Sequence, residues 1–165
     1  MKKLESSFAN MVIVLTVITI IAAACLGAMN NATAEPIAAS KKAKQEAAIK
    51  AVLPEFASVD TAVIVNEQKI FRAYDANGEL VGIAIETAEL GFGGDITTMV
   101  GFNVNGAIVN YSLLQHAETP GLGSKLVDWF LVKSDIRGAG ADQMPLRVSK
   151  DGGEYDAITA ATISS

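Results

Sequence analysis

The chain of 165 residues has room for one domain, is 50% hydrophobic and carries a net charge of −5, a balance that offers no broad basic surface to nucleic acid. It has one cysteine, Cys25, and one histidine, His116. Those counts exclude a four-cysteine iron–sulfur cluster, a zinc finger and an intrachain disulfide, so an electron carrier held here is not a cluster of the chain's own.

No charged residue occurs between Ser6 and Ala34. As a helix, the apolar run Phe8–Met29 is roughly 33 Å long at about 1.5 Å per residue, enough to cross a bilayer core of ~30 Å. Thr16 and Thr19 interrupt it mildly, because a threonine hydroxyl can bond back to its own helix. Two alternatives stand beside an uncleaved anchor. Ala32-Thr33-Ala34 has the form of a signal cleavage site, but the apolar run exceeds a usual signal core. Cys25 follows Ala22-Ala23-Ala24, without the bulky aliphatic expected three residues before a lipidated cysteine. Lys2 and Lys3 precede the span, and Lys41, Lys42 and Lys44 lie well beyond it, which favours a cytoplasmic N-terminus. The domain reading is therefore a stub and span over 1–29, a linker and spacer helix over 30–54, and an extracytoplasmic domain over 55–165.

Asn30 to Ala39, with Pro36, reads as linker. Ser40 is a candidate N-cap for a surface helix over Lys41–Val52, with Ala43, Ala47, Ala48, Ala51 and Val52 as a narrow small-residue face. Leu53-Pro54 ends it. Strands are expected at Ala62–Val65, Lys69–Tyr74 and Leu80–Glu86, with a turn at Asp75-Ala76-Asn77-Gly78. Gly91, Gly93 and Gly94 make a flexible connection to a hairpin, Asp95–Asn103 and Gly106–Leu114, whose turn carries Asn105-Gly106. Ser124–Leu131 is expected to be a helix with Leu126, Val127, Trp129 and Phe130 in the core, followed by a loop at Gly138–Ala141 and a short strand at Leu146–Val148. The fold class is α+β: one N-terminal transmembrane helix, then a mostly antiparallel sheet with flanking helices.

Two stretches carry candidate chemistry. In Glu118-Thr119-Pro120-Gly121-Leu122-Gly123, Pro-Gly suits the middle of a type II turn whose N–H groups can face an anionic or polar ligand. The last ten residues, Asp156–Ser165, hold four hydroxyls and a carboxylate among small side chains, after Gly152-Gly153. By composition alone the first is a structural turn and the second a polar tail.

Asp156-x-x-Thr159-Ala160-Ala161-Thr162 resembles the flavinylation motif of the FMN-binding domain family, Asp-x-x-(Ser/Thr)-Gly-Ala-Thr, and Glu118–Gly123 resembles that family's Glu-Thr-Pro-Gly-Leu-Gly segment. With a single N-terminal span, the chain is similar to the G subunits of Rnf complexes, ion-translocating ferredoxin:NAD oxidoreductases of bacterial membranes. The related C subunits of Na⁺-translocating NADH:quinone oxidoreductases are the alternative. The resemblance implies FMN joined by a phosphoester to Thr162, a covalently flavinylated phosphoprotein. Thr159 then holds the motif's first hydroxyl position, and Asp156, Ala160 and Ala161 complete the motif. Glu118, Thr119, Pro120, Gly121, Leu122 and Gly123 would lie against the flavin. It also implies a flavin transferase using FAD and Mg²⁺, the other membrane subunits of the complex and the lipid bilayer as partners, and a single-pass protein of the bacterial inner membrane with its FMN domain on the periplasmic side. Lys150 joins the site on its charge and nearness to the motif. Ala160 departs from the family's glycine, and a methyl there is tolerated unless the residue needs positive φ. Relatives continue past the position of Ser165 into a short helix, so either a chain cut short or a shortened member is expected.

A poor alcohol nucleophile needs a separate enzyme and a metal ion to form such a bond, and small neighbours leave it accessible. No Gly-x-Gly-x-x-Gly opens a helix after a strand, so electron relay to partner subunits is expected rather than hydride transfer from NADH. An anchored binding or assembly module without flavin stays open as a second class. A hydrolase does not fit one histidine and no Gly-x-Ser-x-Gly elbow.

Overall fold

The computed structural model describes residues 7–66 and 68–165. Lys2 and Lys3, which favour a cytoplasmic N-terminus, lie outside the described residues. The chain divides into two compact units at Lys42/Ala43.

Helix α1 spans Phe8–Val52, and within its first part lies the stretch long and apolar enough to cross a membrane. The threonine hydroxyls do bond back: Thr16 Oγ1 donates to the Val12 carbonyl (2.8 Å) and Thr19 Oγ1 to that of Thr16 (2.9 Å). The linker expected over 30–39 is instead helical, Pro36 included, and Ser40 is an interior residue rather than an N-cap. Proline removes one i→i−4 bond, but this part of the helix is exposed, so water can take the carbonyl left over.

In the second unit, the end of α1 belongs to the core and is not a surface spacer. Its buried residues are Ala48, Ile49 and Val52, with Gln45 half-buried one turn earlier, while Ala43, Ala47 and Ala51 are exposed. Of the expected small-residue face, Ala48 and Val52 are buried, and the buried stripe is displaced from Ala43, Ala47 and Ala51 by a fraction of a turn because Ile49 brings more apolar area to the sheet than an alanine would.

Strands β1 (Ser58–Val59), β2 (Val63–Val65), β3 (Gln68–Tyr74), β4 (Leu80–Leu90), β5 (Asp95–Asn103) and β6 (Ile108–Gln115) form one antiparallel sheet. The order is β1-β3-β4-β5-β6, with β2 also pairing β3. Strand β4 runs four residues past its expected end because Thr87–Leu90 pair with Asp95–Thr98, and the Gly91 N–H closes the hairpin on the Gly94 carbonyl (2.9 Å). Both polar turns form as read. Asp75 Oδ1 accepts the N–H of Asn77 and Glu79, and Asn103 Oδ1 accepts those of Asn105 and Ala107.

Side chains alternate across a strand, so Met99 and Ile96 of β5 face opposite ways. On the Met99 face, Ala48, Ile49, Val52 and Leu53 pack against Phe71, Ala73 and Ala84. A Cβ at Gly101 would collide with the Val52 carbonyl, so glycine there lets the helix backbone down onto the sheet. Asn110 Nδ2 then donates to the Ala51 carbonyl (2.9 Å), satisfying one of the helix's last acceptors. Gln45 also donates to Glu86, whose other oxygen is held by Lys69 Nζ at 2.6 Å. On the Ile96 face, Leu126, Ile158 and Ala161 form a second core with Leu113, Trp129 and Phe130.

The helix expected at Ser124–Leu131 is broken into a 3₁₀ turn, Gly123–Val127, and a single turn of α2, Trp129–Val132. The cause is Tyr111. Its hydroxyl donates to the Leu126 carbonyl (2.5 Å) and accepts the Phe130 N–H (3.3 Å), standing between the two groups that an i→i−4 helical bond would join. Burial pushes the Tyr111 phenol up, which keeps the donated proton in place. Val127, expected in the core, is exposed. The strand expected at Leu146–Val148 reduces to one parallel bridge, Val148 to Tyr155.

Candidate functional site

Residues 156–165 have no helix or strand of their own and are held by individual contacts. The Trp129 indole Nε1–H donates to the Asp156 carbonyl (2.8 Å), and the Asp156 N–H donates to Ser134 Oγ (2.7 Å). Ile158, fully buried, plugs the second core. The chain then turns, with the Ala161 N–H on the Ile158 carbonyl (3.1 Å) and Ala160 at φ 63°. So the position where the family has glycine does take the left-handed conformation that glycine favours. That turn sends Ala161 into the core and leaves Thr159, Ala160 and Thr162 exposed.

Thr162 Oγ1 accepts a hydrogen bond from Lys150 Nζ at 2.7 Å. Lys150 lies in a 3₁₀ turn, Ser149–Asp151, that folds back through Gly152 at φ 80°. The structure thus brings together the hydroxyl and the ammonium group that the sequence places 12 residues apart. A cation against an alcohol oxygen stabilises negative charge that develops there.

Two residues further, the chain turns inward again. Ser164 is buried, and its hydroxyl donates to Glu118 Oε2 (2.7 Å), while Glu118 Oε1 accepts the Gly93 N–H (3.0 Å). A Cβ on Gly91 or on Gly123 would strike the Glu118 carboxylate, so both glycines make room for it. The Gly93 bond first, then the Ser164 hydroxyl, hold the Glu118 carboxyl below the usual range, with the charge of His116 acting in the same direction. His116 Nδ1 is buried without a hydrogen-bond partner among the described residues. Ser165 Oγ accepts the Ile158 N–H (3.0 Å) and donates to the Ala161 carbonyl (2.8 Å).

The Pro-Gly turn forms as expected. The Leu122 N–H reaches the Thr119 carbonyl (3.2 Å), Gly121 has φ 78°, and the Gly121 N–H donates to Ser124 Oγ (2.8 Å). Thr119, Pro120, Gly121 and Leu122 are exposed, whereas Glu118 and Gly123 are buried. Phe92 and Ile163 are exposed as well, each next in the chain to a residue bonded to Glu118. Ser165 and Asp151 border an open cleft of about 230 Å³ lined also by Phe130, Arg147 and Tyr155.

Sequence reasoning did not find Ser164, Gly93, Ser134 or Trp129 Nε1 as site-forming groups. Only the glycine cluster at 91–94 carried a local signal, as a chain section with unusually little side-chain volume. Among the described residues no three His, Cys, Asp or Glu side chains are grouped to hold a metal ion.

The model of the FMN-binding domain family matches residues 91–165, the stretch that holds β5, β6, the Glu118–Gly123 turn and the terminal segment. Among curated proteins, the chain is 31% identical over 152 residues to the G subunit of the ion-translocating oxidoreductase complex of Escherichia coli K12, covering 83% of this chain and 74% of the relative. It is 37% identical over 113 residues to the protein of the same name from Vibrio cholerae, covering 61% and 54%. To that from the archaeon Methanosarcina acetivorans it is 28% identical over 167 residues, covering 94% and 86%. The chain belongs to the family of G subunits of ion-translocating oxidoreductase complexes.

Proposed function

We propose that this chain is a membrane-anchored flavoprotein subunit of an Rnf-type ion-translocating ferredoxin:NAD oxidoreductase, relaying electrons through FMN bound by a phosphoester to Thr162. The observation that carries the attachment point is the Thr162–Lys150 pair, an exposed hydroxyl whose oxygen already faces a cation at 2.7 Å. A phosphodiester at Thr162 brings negative charge to that place, and Lys150 would balance it. The site's residues fit the rest of the group too. Phe92, Leu122 and Ile163 are exposed apolar side chains, each next in the chain to a residue that meets the Glu118 carboxylate, and of a kind suited to the faces of a planar ring. FMN, when bound, supplies one- and two-electron redox chemistry. The protein residues orient it and hold its phosphate, and the covalent bond keeps it local whatever the external supply.

Attachment is the work of a flavin transferase with Mg²⁺, which would pass the FMN phosphoryl group of FAD to the Thr162 oxygen and release AMP, because among the described residues the Thr162 hydroxyl faces a cation and no base. Asp156 is part of what this enzyme reads, and the small side chain of Ala160 leaves room for it to reach Thr162. Thr159 and Ala160 stand exposed on the turn before Thr162, with Asp156 exposed ahead of them. The helix within Phe8–Val52 anchors the chain in the bacterial inner membrane, with the FMN domain on the periplasmic side and the other subunits of the complex as its partners.

The test is coexpression of the full chain with a flavin transferase, followed by peptide mass spectrometry of residues 148–165 and ultraviolet fluorescence of the denatured protein on a gel. The wild type shows a fluorescent band and an FMN adduct on Thr162, and Thr162→Val shows neither. A wild-type band without fluorescence, or an adduct that persists in Thr162→Val, rejects the assignment.

A further inference from the structure

Glu118 and Ser164 are the buried polar side chains of this structure among the described residues, and they are bonded to each other across a sequence separation of 46. Burying a carboxylate is costly unless its oxygens are satisfied. Here one oxygen takes the Gly93 N–H and the other the Ser164 hydroxyl. Two glycines on different loops, Gly91 and Gly123, are needed to seat that carboxylate at all. So three separate pieces of chain meet on one charged group, the β4–β5 hairpin, the segment after β6 and the terminal segment.

Ahead of Thr162, the terminal segment is held by apolar pegs, Ile158 and Ala161. Behind it, Ser164 is bonded to Glu118, among the described residues the one tie there to a distant part of the chain, while Ser165 bonds back within the segment to Ile158 and Ala161. Thr162 lies between these two fastenings and points outward. Of the segment's other hydroxyls, Ser164 and Ser165 are turned into internal bonds.

We propose that Glu118 is a positioning residue, a carboxylate clasp that fastens the terminal segment through Ser164 and so holds Thr162, and the group it carries, at a fixed place on the domain. Both oxygens of the clasp are taken by Gly93 and Ser164, so its effect on the attached group runs through the segment it fastens. Its link to FMN rests on the proposed attachment at Thr162, whereas its hold on the segment does not.

The experiment uses the full chain in detergent, comparing wild type with Ser164→Ala, Glu118→Ala, Glu118→Gln and the double variant Glu118→Ala/Ser164→Ala. Amide hydrogen exchange of residues 161–165 is the first readout, with the β5 and β6 amides as the internal control for folding. Loss of a buried hydrogen bond to a charged group makes Ser164→Ala raise exchange in 161–165 roughly tenfold or more, with β5 and β6 unchanged. Glu118→Gln, which keeps an acceptor for Gly93 and a polar partner for Ser164, stays close to wild type. The double variant exchanges in 161–165 no faster than Glu118→Ala, because both changes remove the same bond. Unchanged exchange of 161–165 in Ser164→Ala overturns the clasp. So does a double variant in which the two effects add.

The second readout is flavin fluorescence anisotropy in chains coexpressed with the transferase, which drops in Ser164→Ala and is preserved in Glu118→Gln. A wild-type chain that acquires no flavin rejects the attachment at Thr162 and leaves the exchange comparison to decide the clasp alone. A loaded Ser164→Ala chain with wild-type anisotropy overturns the positioning role.

Discussion

Ala160 shows most directly how one side chain can work against its place in the fold. Its φ of 63° is the left-handed conformation, which costs a residue with a Cβ about 1–2 kcal/mol relative to glycine. The turn needs that conformation because it reverses the chain between Ile158 and Ala161, both seated in the second core. Ala160→Gly removes the strain and gives back part of it as unfolded-state entropy. We therefore expect a net gain of up to about 1 kcal/mol, seen as a thermal midpoint higher by a few degrees in far-ultraviolet circular dichroism of the full chain. A midpoint that stays put or falls would show that the turn relaxes around the methyl at no cost. Much of this site was legible at the level of single residues. Thr162, Thr159 and Asp156 form a recognisable motif, and Lys150 was reachable from charge and proximity. Ser164 was not, because its partner is 46 residues away and nothing in its neighbourhood distinguishes a buried serine from a terminal one.

The elements were legible where local chemistry decides them and obscure where packing does. β-branched and aromatic residues between turn signals placed β3, β4 and β5, and the Asp75 and Asn103 turns followed from side chains that bond their own backbone. Strand β1 has two residues and exists only through its pairing with Ala73 and Tyr74. The break between the 3₁₀ turn and α2 depends on a tyrosine hydroxyl from β6, which no helix propensity records. The end of α1 reads as a spacer because an exposed helix and a half-buried one share much the same composition. Its true seat is specified on the sheet, at Gly101. Gly101→Ala forces the Val52 backbone away and should cost roughly 1–3 kcal/mol, read as a lower urea midpoint with an unchanged slope. An unshifted midpoint would mean that the helix end can slide on the sheet.

At the scale of the whole chain, the uncharged run from Ser6 to Ala34 was enough to indicate an anchor, and the order of strand, turn and helix patterns after it an α+β domain. The continuity of α1 through residues 30–39 was not visible, since asparagine, threonine and proline each argue for a linker and none of them forbids a helix in an exposed position. An anchor at Phe8–Met29 makes a definite expectation. The full chain should stay with membranes through an alkaline carbonate wash, and a chain lacking residues 8–29 should appear in the soluble fraction. Release of the full chain by carbonate would rule out a span.

The placement of Thr162 also sets an order of events. The terminal segment adds no strand to the sheet and is seated on the rest of the domain through Ile158, Ala161 and the bond of Ser164 to Glu118. Once it has settled, the threonine still stands in solvent. On the proposed attachment at Thr162, a transferase would then have no need to catch a nascent or opened chain. Loading can follow folding, with the finished domain as its substrate, and a cell could hold a pool of completed but unloaded protein that responds to the supply of flavin.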